Sequence, residues 1–181
     1  MNIVILNGGP QKSGATDQIT KIVTEYLCHN HHVENICLGE KDIEYCIGCK
    51  QCDQTGSCFQ EDDAISVIQS IKNADCFITV IPSYWAEVPG QMKVFIDRCT
   101  PYSNVNPNRF RFDKTQRGFT IVIRTGSGAE ECKQIIRSIE HFYGHMDIEM
   151  KDSAYFCNIR SKEDIVQHQE EIKQLVMNWI I

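Results

Sequence analysis

Residues 2–16 read Asn-Ile-Val-Ile-Leu-Asn-Gly-Gly-Pro-Gln-Lys-Ser-Gly-Ala-Thr, an apolar run followed by glycine and small polar residues. The run at 2–6 is continuous rather than alternating, which is typical of a strand buried on both faces of a parallel sheet. Apolar residues within 19–27 then recur at the spacing of an amphipathic helix. The stretch therefore predicts a strand, a loop at 7–16 and a helix, the repeating unit of an α/β fold.

The same order of strand and helix continues along the rest of the chain. Apolar runs at 33–38, 76–81 and 119–123, and one within 147–157, predict four more strands. Helical spacing predicts helices between them and a closing helix over 165–179. The pattern predicts one domain spanning 1–181, a five-stranded parallel sheet of order 2-1-3-4-5 with helices on both faces.

Composition limits the class of protein. The 181 residues are 42% hydrophobic and 23% charged, as in an ordinary soluble globular protein. A net charge of −6 without a long basic run argues against nucleic acid as a partner. The longest apolar stretches are about six residues, too short to span a membrane, and the N-terminus lacks the pattern of a secretory signal. We therefore expect a cytoplasmic protein, whose thiols stay reduced.

Three loops of unusual composition leave the carboxyl ends of predicted strands: 7–16 after the first, 82–90 after the third and 125–128 after the fourth. In the order 2-1-3-4-5 these three strands are neighbours. Ligands of such sheets bind beyond the carboxyl ends of the strands, where the strand order reverses. The three loops are therefore expected to meet at one ligand site.

The first loop has the features of a phosphate site. It leads into a helix N-terminus, whose free N–H groups and dipole favour an anion. Its spacing Gly9-x4-Gly14 is similar to a nucleoside triphosphate loop, but Ala15 stands where that loop needs lysine, and G-x-G-x-x-G is absent. A monophosphate is therefore favoured, and a turn that only caps the helix is the alternative. The predicted contacts are Gly9, Pro10, Lys12, Ser13, Gly14, Ala15 and Thr16.

The other two loops suit a flat ring. The second places two adjacent aromatic side chains after a buried strand, where a flat ligand can stack; the alternative is that one ring fills the core. The third allows close backbone approach and offers N–H and hydroxyl donors. Together the three loops predict a flavin mononucleotide (FMN) site. The residues predicted to hold the ring are Pro82, Ser83, Tyr84, Trp85, Thr125, Gly126, Ser127 and Gly128.

Four of the ten cysteines, Cys46, Cys49, Cys52 and Cys58, form the pattern C-x2-C-x2-C-x5-C. Thiolates at this spacing hold cubane clusters in ferredoxins. Zinc sites more often use two separated C-x2-C pairs, or cysteine with histidine. The pattern favours a [4Fe–4S] cluster, with unmetallated thiols and then zinc as alternatives. The other six cysteines are expected to be packing residues, mostly buried.

Two further groups carry weaker hypotheses. His141 and His145 have the spacing of metal ligands on a helix, but Gly144 is expected to interrupt that helix, so surface histidines are predicted. The connection 101–117 is locally positive. This patch either steers a nicotinamide dinucleotide phosphate or an acidic electron-transfer protein toward the flavin, or is a solvated or subunit-contact loop. Its basic residues are Arg109, Arg111, Lys114 and Arg117.

Nearly the whole chain resembles the flavodoxin-like NAD(P)H-dependent FMN reductases, and within them it is most similar to the iron–sulfur flavoproteins. The resemblance rests on residues 9–16, on the four-cysteine run followed by Asp62 and Asp63, on 82–85 and on 93–98. It implies FMN held by the three loops, a homodimer or homotetramer, and a cluster near the flavin of a neighbouring subunit. Gly9 and Ala15 depart from the family's usual serine and asparagine, and each change removes a side-chain hydrogen bond worth about 1 kcal/mol.

The predicted function is that of an FMN-binding oxidoreductase or electron-transfer flavoprotein with a [4Fe–4S] cluster on residues 46–58. The alternatives are a cluster-free NAD(P)H-dependent FMN or quinone reductase, and a zinc- or thiol-bearing interaction protein on the same scaffold. NAD(P)H or a ferredoxin-like protein is the expected electron donor, and a small molecule the acceptor. No side chain is an evident proton donor, so no catalytic residue is predicted.

Overall fold

The computed structural model describes residues 1–109 and 116–180. Within them five strands form one parallel sheet in the order β2-β1-β3-β4-β5. The strands are β1 (Asn2–Asn7), β2 (His32–Cys37), β3 (Cys76–Pro82), β4 (Gln116–Ile123) and β5 (Ile148–Phe156). The predicted sheet and strand order are confirmed, and the fold is flavodoxin-like.

Helices join the strands and follow the last one. They are α1 (Ala15–Leu27), α2 (Cys52–Thr55), α3 (Asp63–Asn73), α4 (Gly90–Arg98), α5 (Glu130–His145), α6 (Lys162–Gln167) and α7 (Gln169–Ile180). In the two described ranges, no helix is long and apolar enough to cross a bilayer.

Two helix predictions need correction. The closing helix is two helices, because the chain leaves helical geometry at His168, whose ring contacts Glu171 in the first turn of α7 at 2.8 Å. Helix α5 runs through Gly144 to His145, so Gly144 does not interrupt it. A single glycine costs a helix only about 1 kcal/mol, and the buried neighbours Phe142 and Tyr143 anchor this turn.

Packing explains why helices cover both faces of the sheet. Along β1, Ile3 and Ile5 pack with α1, α6 and α7, whereas Val4 and Leu6 pack with α3, α4 and α5. All four side chains are at most 3% exposed. A strand buried on both faces favours apolar residues at successive positions, which is the reason for the run over residues 3–6; Asn2, at the start of the strand, is exposed.

The carboxyl ends of β1, β3 and β4 lie side by side, because Asn7 at the end of β1 pairs with Val80, two residues before the end of β3, and Pro82 pairs with Ile123 at the ends of β3 and β4. Contact continues just beyond these ends. The Gly8 amide donates to the Val80 carbonyl at 2.9 Å, and the Ser83 amide donates to the Ile123 carbonyl at 2.7 Å. The loops after the three strands therefore leave the sheet at the same edge.

All ten cysteines are free thiols. Of the six outside residues 46–58, three are buried as expected: Cys76, Cys99 and Cys132. The expectation of burial is wrong for the exposed Cys28, which caps the end of α1, and for two half-buried residues at strand ends, Cys37 and Cys157.

Candidate functional site

A cavity of about 360 Å³ opens at the carboxyl edge of β1, β3 and β4, within the roughly 300–1,000 Å³ typical of small-molecule sites. The cofactor-binding residues predicted from the sequence that line it are Pro10, Ala15, Thr16, Pro82, Ser83, Tyr84, Trp85 and Thr125. Residues not predicted from the sequence also line it: Gln11, Ile123, Arg124, Ile159 and Arg160. The three loops therefore meet, and the segment after β5 adds a further wall. Below, this space is called the loop cavity.

The N-terminus of α1 forms part of the wall of the loop cavity. Gly14, at the N-cap position, provides no side-chain cap, and Ala15 and Thr16 form the cavity wall. The N–H groups in the first turn of a helix have no partner within that helix. Together with the helix dipole they favour an anion. This part of the cavity therefore offers backbone donors that fit a phosphate.

Gly9 lies outside the cavity wall, yet its missing side chain shapes the loop. A Cβ atom at Gly9 would lie 2.2 Å from Thr16 Oγ1 and 3.1 Å from Asn7 Oδ1. Asn7 Oδ1 already accepts the Gly9 N–H at 2.9 Å. The serine expected at this position from the resemblance has no room here, because the side chains of Asn7 and Thr16 occupy its space.

Several predicted residues lie beside the loop cavity rather than in its wall. Lys12 Nζ pairs with Glu40 at 2.6 Å, and the two line a separate polar cavity that also contains Ser13. The hydrogen bond and charge of Glu40 raise the pKa of Lys12. The wall also lacks Gly14, Gly126, Ser127 and Gly128. Cofactor contacts by these residues stay predictions.

The aromatic loop projects away from the core. Tyr84 and Glu87 exchange two backbone hydrogen bonds of 3.0 Å across a turn formed by Trp85 and Ala86. Both turn residues have positive φ, 55° and 63°, as in a type I′ turn, which strains residues other than glycine. Trp85 is 97% exposed and Tyr84 46%. Neither ring fills the core, so that alternative is wrong.

Arg124, in the wall of the loop cavity, holds the third loop to the start of α5. Its Nη1 donates to the Gly128 carbonyl at 2.5 Å and its Nη2 to Glu131 Oε1 at 3.0 Å. The second carboxylate oxygen of Glu131 accepts from Ser83 Oγ at 3.0 Å, so Glu131 joins the second loop to the third. A Cβ at Gly126 would lie 2.5 Å from Arg124 Nη2, so a larger residue there would require the guanidinium to shift. Arg124 was not predicted from the sequence; the signal that could have identified it is a basic residue directly after the buried strand β4.

The cysteine loop, residues 46–58, gathers its four thiols around one small cavity of about 30 Å³. Cys46 and Cys49 are exposed, and Cys52 and Cys58 are half-buried. In the part of the chain that the structure describes, no three His, Cys, Asp or Glu side chains are arranged to hold a metal ion. The thiols are thus brought to one place, but not into ligating geometry.

Arg98, the last residue of α4, lies beneath the cysteine loop and lines the same small cavity. Its guanidinium donates to the carbonyl of Glu44 at 2.8 Å and to that of Gln60 at 3.2 Å, and it pairs with the Asp62 carboxylate. Glu44 and Gln60 flank the two ends of the cysteine loop. Burial raises the pKa of Asp62, but hydrogen bonds from Arg98 and two backbone amides outweigh it and hold that pKa below its ordinary value.

The basic connection is only partly described. Arg109 Nη2 pairs with Asp147 at 2.7 Å, and the Arg117 guanidinium lies 3.1 Å from Met1 Sδ. Arg111 and Lys114 lie outside the described residues. The steering role of the patch stays a prediction, and the charge of Arg109 is already compensated by Asp147.

Comparison with known proteins identifies relatives along most of the chain. The family model for NADPH-dependent FMN reductase matches residues 1–155. An iron-sulfur flavoprotein of Archaeoglobus fulgidus is 33% identical over 132 residues, 72% of this chain and 58% of that protein. A Bacillus subtilis protein named as an NAD(P)H-dependent FMN-containing oxidoreductase, YwqN, is 28% identical over 173 residues, 93% of this chain and 92% of that protein.

A solved structure shares the fold. The NAD(P)H:quinone oxidoreductase from Methanothermobacter marburgensis matches with a TM-score of 0.77 at 16% identity, covering 100% of this chain and 96% of that one. The chain spans about half the length of the iron-sulfur flavoproteins that it matches. Because the family model matches residues 1–155 of the 181, this chain belongs to the NADPH-dependent FMN reductase family.

Proposed function

We propose that the protein is an FMN-dependent oxidoreductase that takes electrons from NAD(P)H and passes them to a small-molecule acceptor. The observation that carries the proposal is the loop cavity, whose lining combines the N-terminus of α1 with the exposed Tyr84 and Trp85. A mononucleotide with a flat ring matches both features, because its phosphate suits the helix N-terminus and its ring suits the two aromatic side chains.

The residues around the cavity fit FMN. The first-turn amides of α1 would hold the phosphate, while Tyr84, Trp85 and the backbone near Thr125 would hold the ring. Arg124 Nε is buried in the wall without a hydrogen-bond partner among the described residues, so it offers a donor to a bound polar group. When bound, FMN supplies the transfer of a hydride or of single electrons, and the protein supplies binding and orientation.

Donor and acceptor share the open side of the site. Trp85 lines the cavity and is almost fully exposed, so the ring of a bound FMN would be open there to a nicotinamide or a quinone from solvent. A single domain of this fold offers one nucleotide cleft at its switch point, so donor and acceptor bind in turn. The reaction therefore follows a ping-pong cycle.

Anaerobic stopped-flow spectroscopy of the FMN-loaded protein tests this proposal. We expect NADPH or NADH to bleach the flavin absorbance, and a benzoquinone to restore it. Reduction by a ferredoxin but by neither nicotinamide would instead support the electron-transfer flavoprotein. A flavin that none of these donors reduces would overturn both.

A cluster-bearing version of this function is the second candidate. It is supported by the four thiols around one small cavity and by the A. fulgidus relative, which is named an iron-sulfur flavoprotein. Among the described residues no three of these thiols are arranged to hold a metal ion, so a cluster requires the cysteine loop to rearrange. We derive no electron-transfer step through such a cluster.

Anaerobic reconstitution with iron and sulfide tests the second candidate. A [4Fe–4S] cluster predicts about four irons and four acid-labile sulfides per chain, lost in Cys49→Ser but kept in Cys28→Ser. Equal iron in both variants would contradict it. Retained zinc without iron or flavin would support the zinc- or thiol-bearing interaction protein.

A homodimer or homotetramer and a cytoplasmic location complete the proposal. All ten thiols are free, as expected in a reducing compartment.

A further inference from the structure

His141 and His145 form a pair on the surface of α5. Their Nε2 atoms lie 3.2 Å apart, and their ring centroids 4.6 Å apart with the rings nearly perpendicular. The pair exists because α5 remains helical through Gly144, so residues four apart lie one above the other. Neither histidine lines the loop cavity or the cavity of the cysteine loop.

Asn104 fixes which nitrogen of His145 carries hydrogen. Its backbone amide donates to the His145 carbonyl at 2.7 Å, and its Nδ2 donates to the Gly144 carbonyl at 3.1 Å. The side-chain amide is thereby oriented, and its Oδ1 faces His145 Nδ1 at 2.9 Å. An oxygen acceptor there requires the hydrogen on Nδ1, so the neutral ring has its lone pair on Nε2. Ser103 Oγ, 3.3 Å from the same Nδ1, is compatible as a second acceptor.

The lone pair of His145 Nε2 therefore faces the Nε2 of His141. Two such nitrogens approach closely when a hydrogen or a metal ion lies between them. At a separation of 3.2 Å, two Zn–N bonds of about 2.0–2.1 Å enclose an angle of about 100°, close to tetrahedral. A metal-binding histidine usually donates its other ring N–H to an oxygen acceptor. Asn104 Oδ1 is such an acceptor for His145 Nδ1.

The surroundings leave room for further ligands. The pair borders a cavity of about 320 Å³ between α4 and α5 that Ser103 and Ser138 also line. Lys93 lines it too, but its charge is paired with Asp97 at 2.5 Å. Among the described residues, no third His, Cys, Asp or Glu completes a metal-binding group, so water supplies the remaining ligands.

We propose that His141 and His145 bind a late first-row divalent cation such as Zn²⁺, with Asn104 as the positioning residue. Imidazole ligands select Zn²⁺, Ni²⁺ or Cu²⁺ over Mg²⁺ and Ca²⁺, which prefer oxygen. The site is independent of the flavin, so it does not rest on the proposed function.

Because thiols also bind Zn²⁺, the readout must be local to the histidines. Imidazole ¹H–¹⁵N correlation spectra of the full chain, titrated with zinc chloride, report each ring separately. We expect the Nε2 signals of His141 and His145 to shift together, while His168 stays unchanged. Zinc that leaves both signals in place at millimolar concentration, including zinc taken up by cysteines alone, would overturn the proposal.

Three variants test the details. His141→Asn should abolish the zinc response of His145, and Asn104→Ala should weaken zinc binding about tenfold by freeing the His145 ring. His168→Asn, the surface control, should leave the affinity unchanged. An intact His145 response in His141→Asn would show that the pair does not bind as a unit. Unchanged affinity in Asn104→Ala would refute the positioning role.

Discussion

The Arg98 guanidinium and the Asp62 carboxylate form a buried ion pair beneath the cysteine loop, with side chains only 1% and 11% exposed. Asp62 also accepts the amides of Ala64 and Glu44, each at 3.0 Å. The pair therefore links the residue that caps α3 to the residue that ends α4. It holds the chain on both sides of the cysteine loop.

Asp62→Asn should lower the free energy of unfolding by about 3 kcal/mol at neutral pH, because Arg98 would keep a buried charge without its counter-ion. Urea unfolding measures this. The control variant is Asp97→Asn, next to Arg98 on α4. It removes an exposed ion pair with Lys93 and should lower the free energy of unfolding by less than about 0.5 kcal/mol. Equal losses in the two variants would show that the buried pair has no special role.

The effect of Asp62 should depend on pH in one direction. Its pKa in the folded protein lies below its ordinary value, so its stabilisation is complete above the unfolded value of about 3.9 and is lost as pH falls through the folded pKa. The stability gap between the natural protein and Asp62→Asn should stay constant from neutral pH down to about pH 5 and then shrink in stronger acid. A gap that widens on acidification would be inconsistent with this pair.

Gly9→Ala should destabilise the protein by about 1–3 kcal/mol, because the new methyl group overlaps Thr16 Oγ1. Gly144→Ala is the matched control: nothing lies within 4 Å of its added Cβ, so a gain of about 0.5 kcal/mol is expected in the helix. Removing the hydroxyl in Gly9→Ala/Thr16→Ala should restore part of the loss. No recovery in that double variant would argue that Thr16 is not the obstacle.

Ala86→Gly should stabilise the aromatic turn by about 0.5 kcal/mol, because relief of the left-handed conformation exceeds the added flexibility of glycine. Ala154→Gly in β5 lacks that relief and should destabilise by about 0.5–1 kcal/mol. Thermal unfolding of both variants measures the contrast. A loss of stability in Ala86→Gly would mean that the turn is not strained.

The thiols should differ in reactivity. Burial raises the pKa of Cys76 to about 12, and burial together with the neighbouring Cys157 does the same for Cys132. Since the thiolate is the reactive form, iodoacetamide should modify the exposed Cys46 and Cys49 about a hundredfold faster than these two. Peptide mass spectrometry over time measures the rates, and labelling in denaturant is the control. Similar rates for Cys132 and Cys49 in the folded protein would contradict the burial.

Local patterns predicted the sheet and the meeting of the three loops. The apolar residues 3–6 indicate burial on two faces, and the rules for parallel sheets then place the loops after β1, β3 and β4 at one edge. Both steps depend on periodicity and connection order, which are properties of a sequence. They do not depend on which side chains meet across the fold.

The parts of the site that the sequence did not predict are polar contacts between distant segments. Arg98 and Asp62 are 36 positions apart, and Asn104 and His145 are 41 apart. Lys12, predicted from the sequence as a cofactor contact, instead forms an ion pair with Glu40. Charged residues give no periodic signal for such pairing, so only the folded arrangement identifies their partners.

Titration of the flavin-free protein with FMN, followed by flavin fluorescence, tests most directly the claim that the loop cavity binds FMN. Two variants add the same charge to α1: Ala15→Asp in the cavity wall and Gln18→Asp outside it. We predict saturable binding of one FMN per chain, weakened about tenfold or more by Ala15→Asp, whose carboxylate repels the phosphate, and unchanged by Gln18→Asp. No saturable binding, or equal affinity in Ala15→Asp and the natural protein, would contradict the claim.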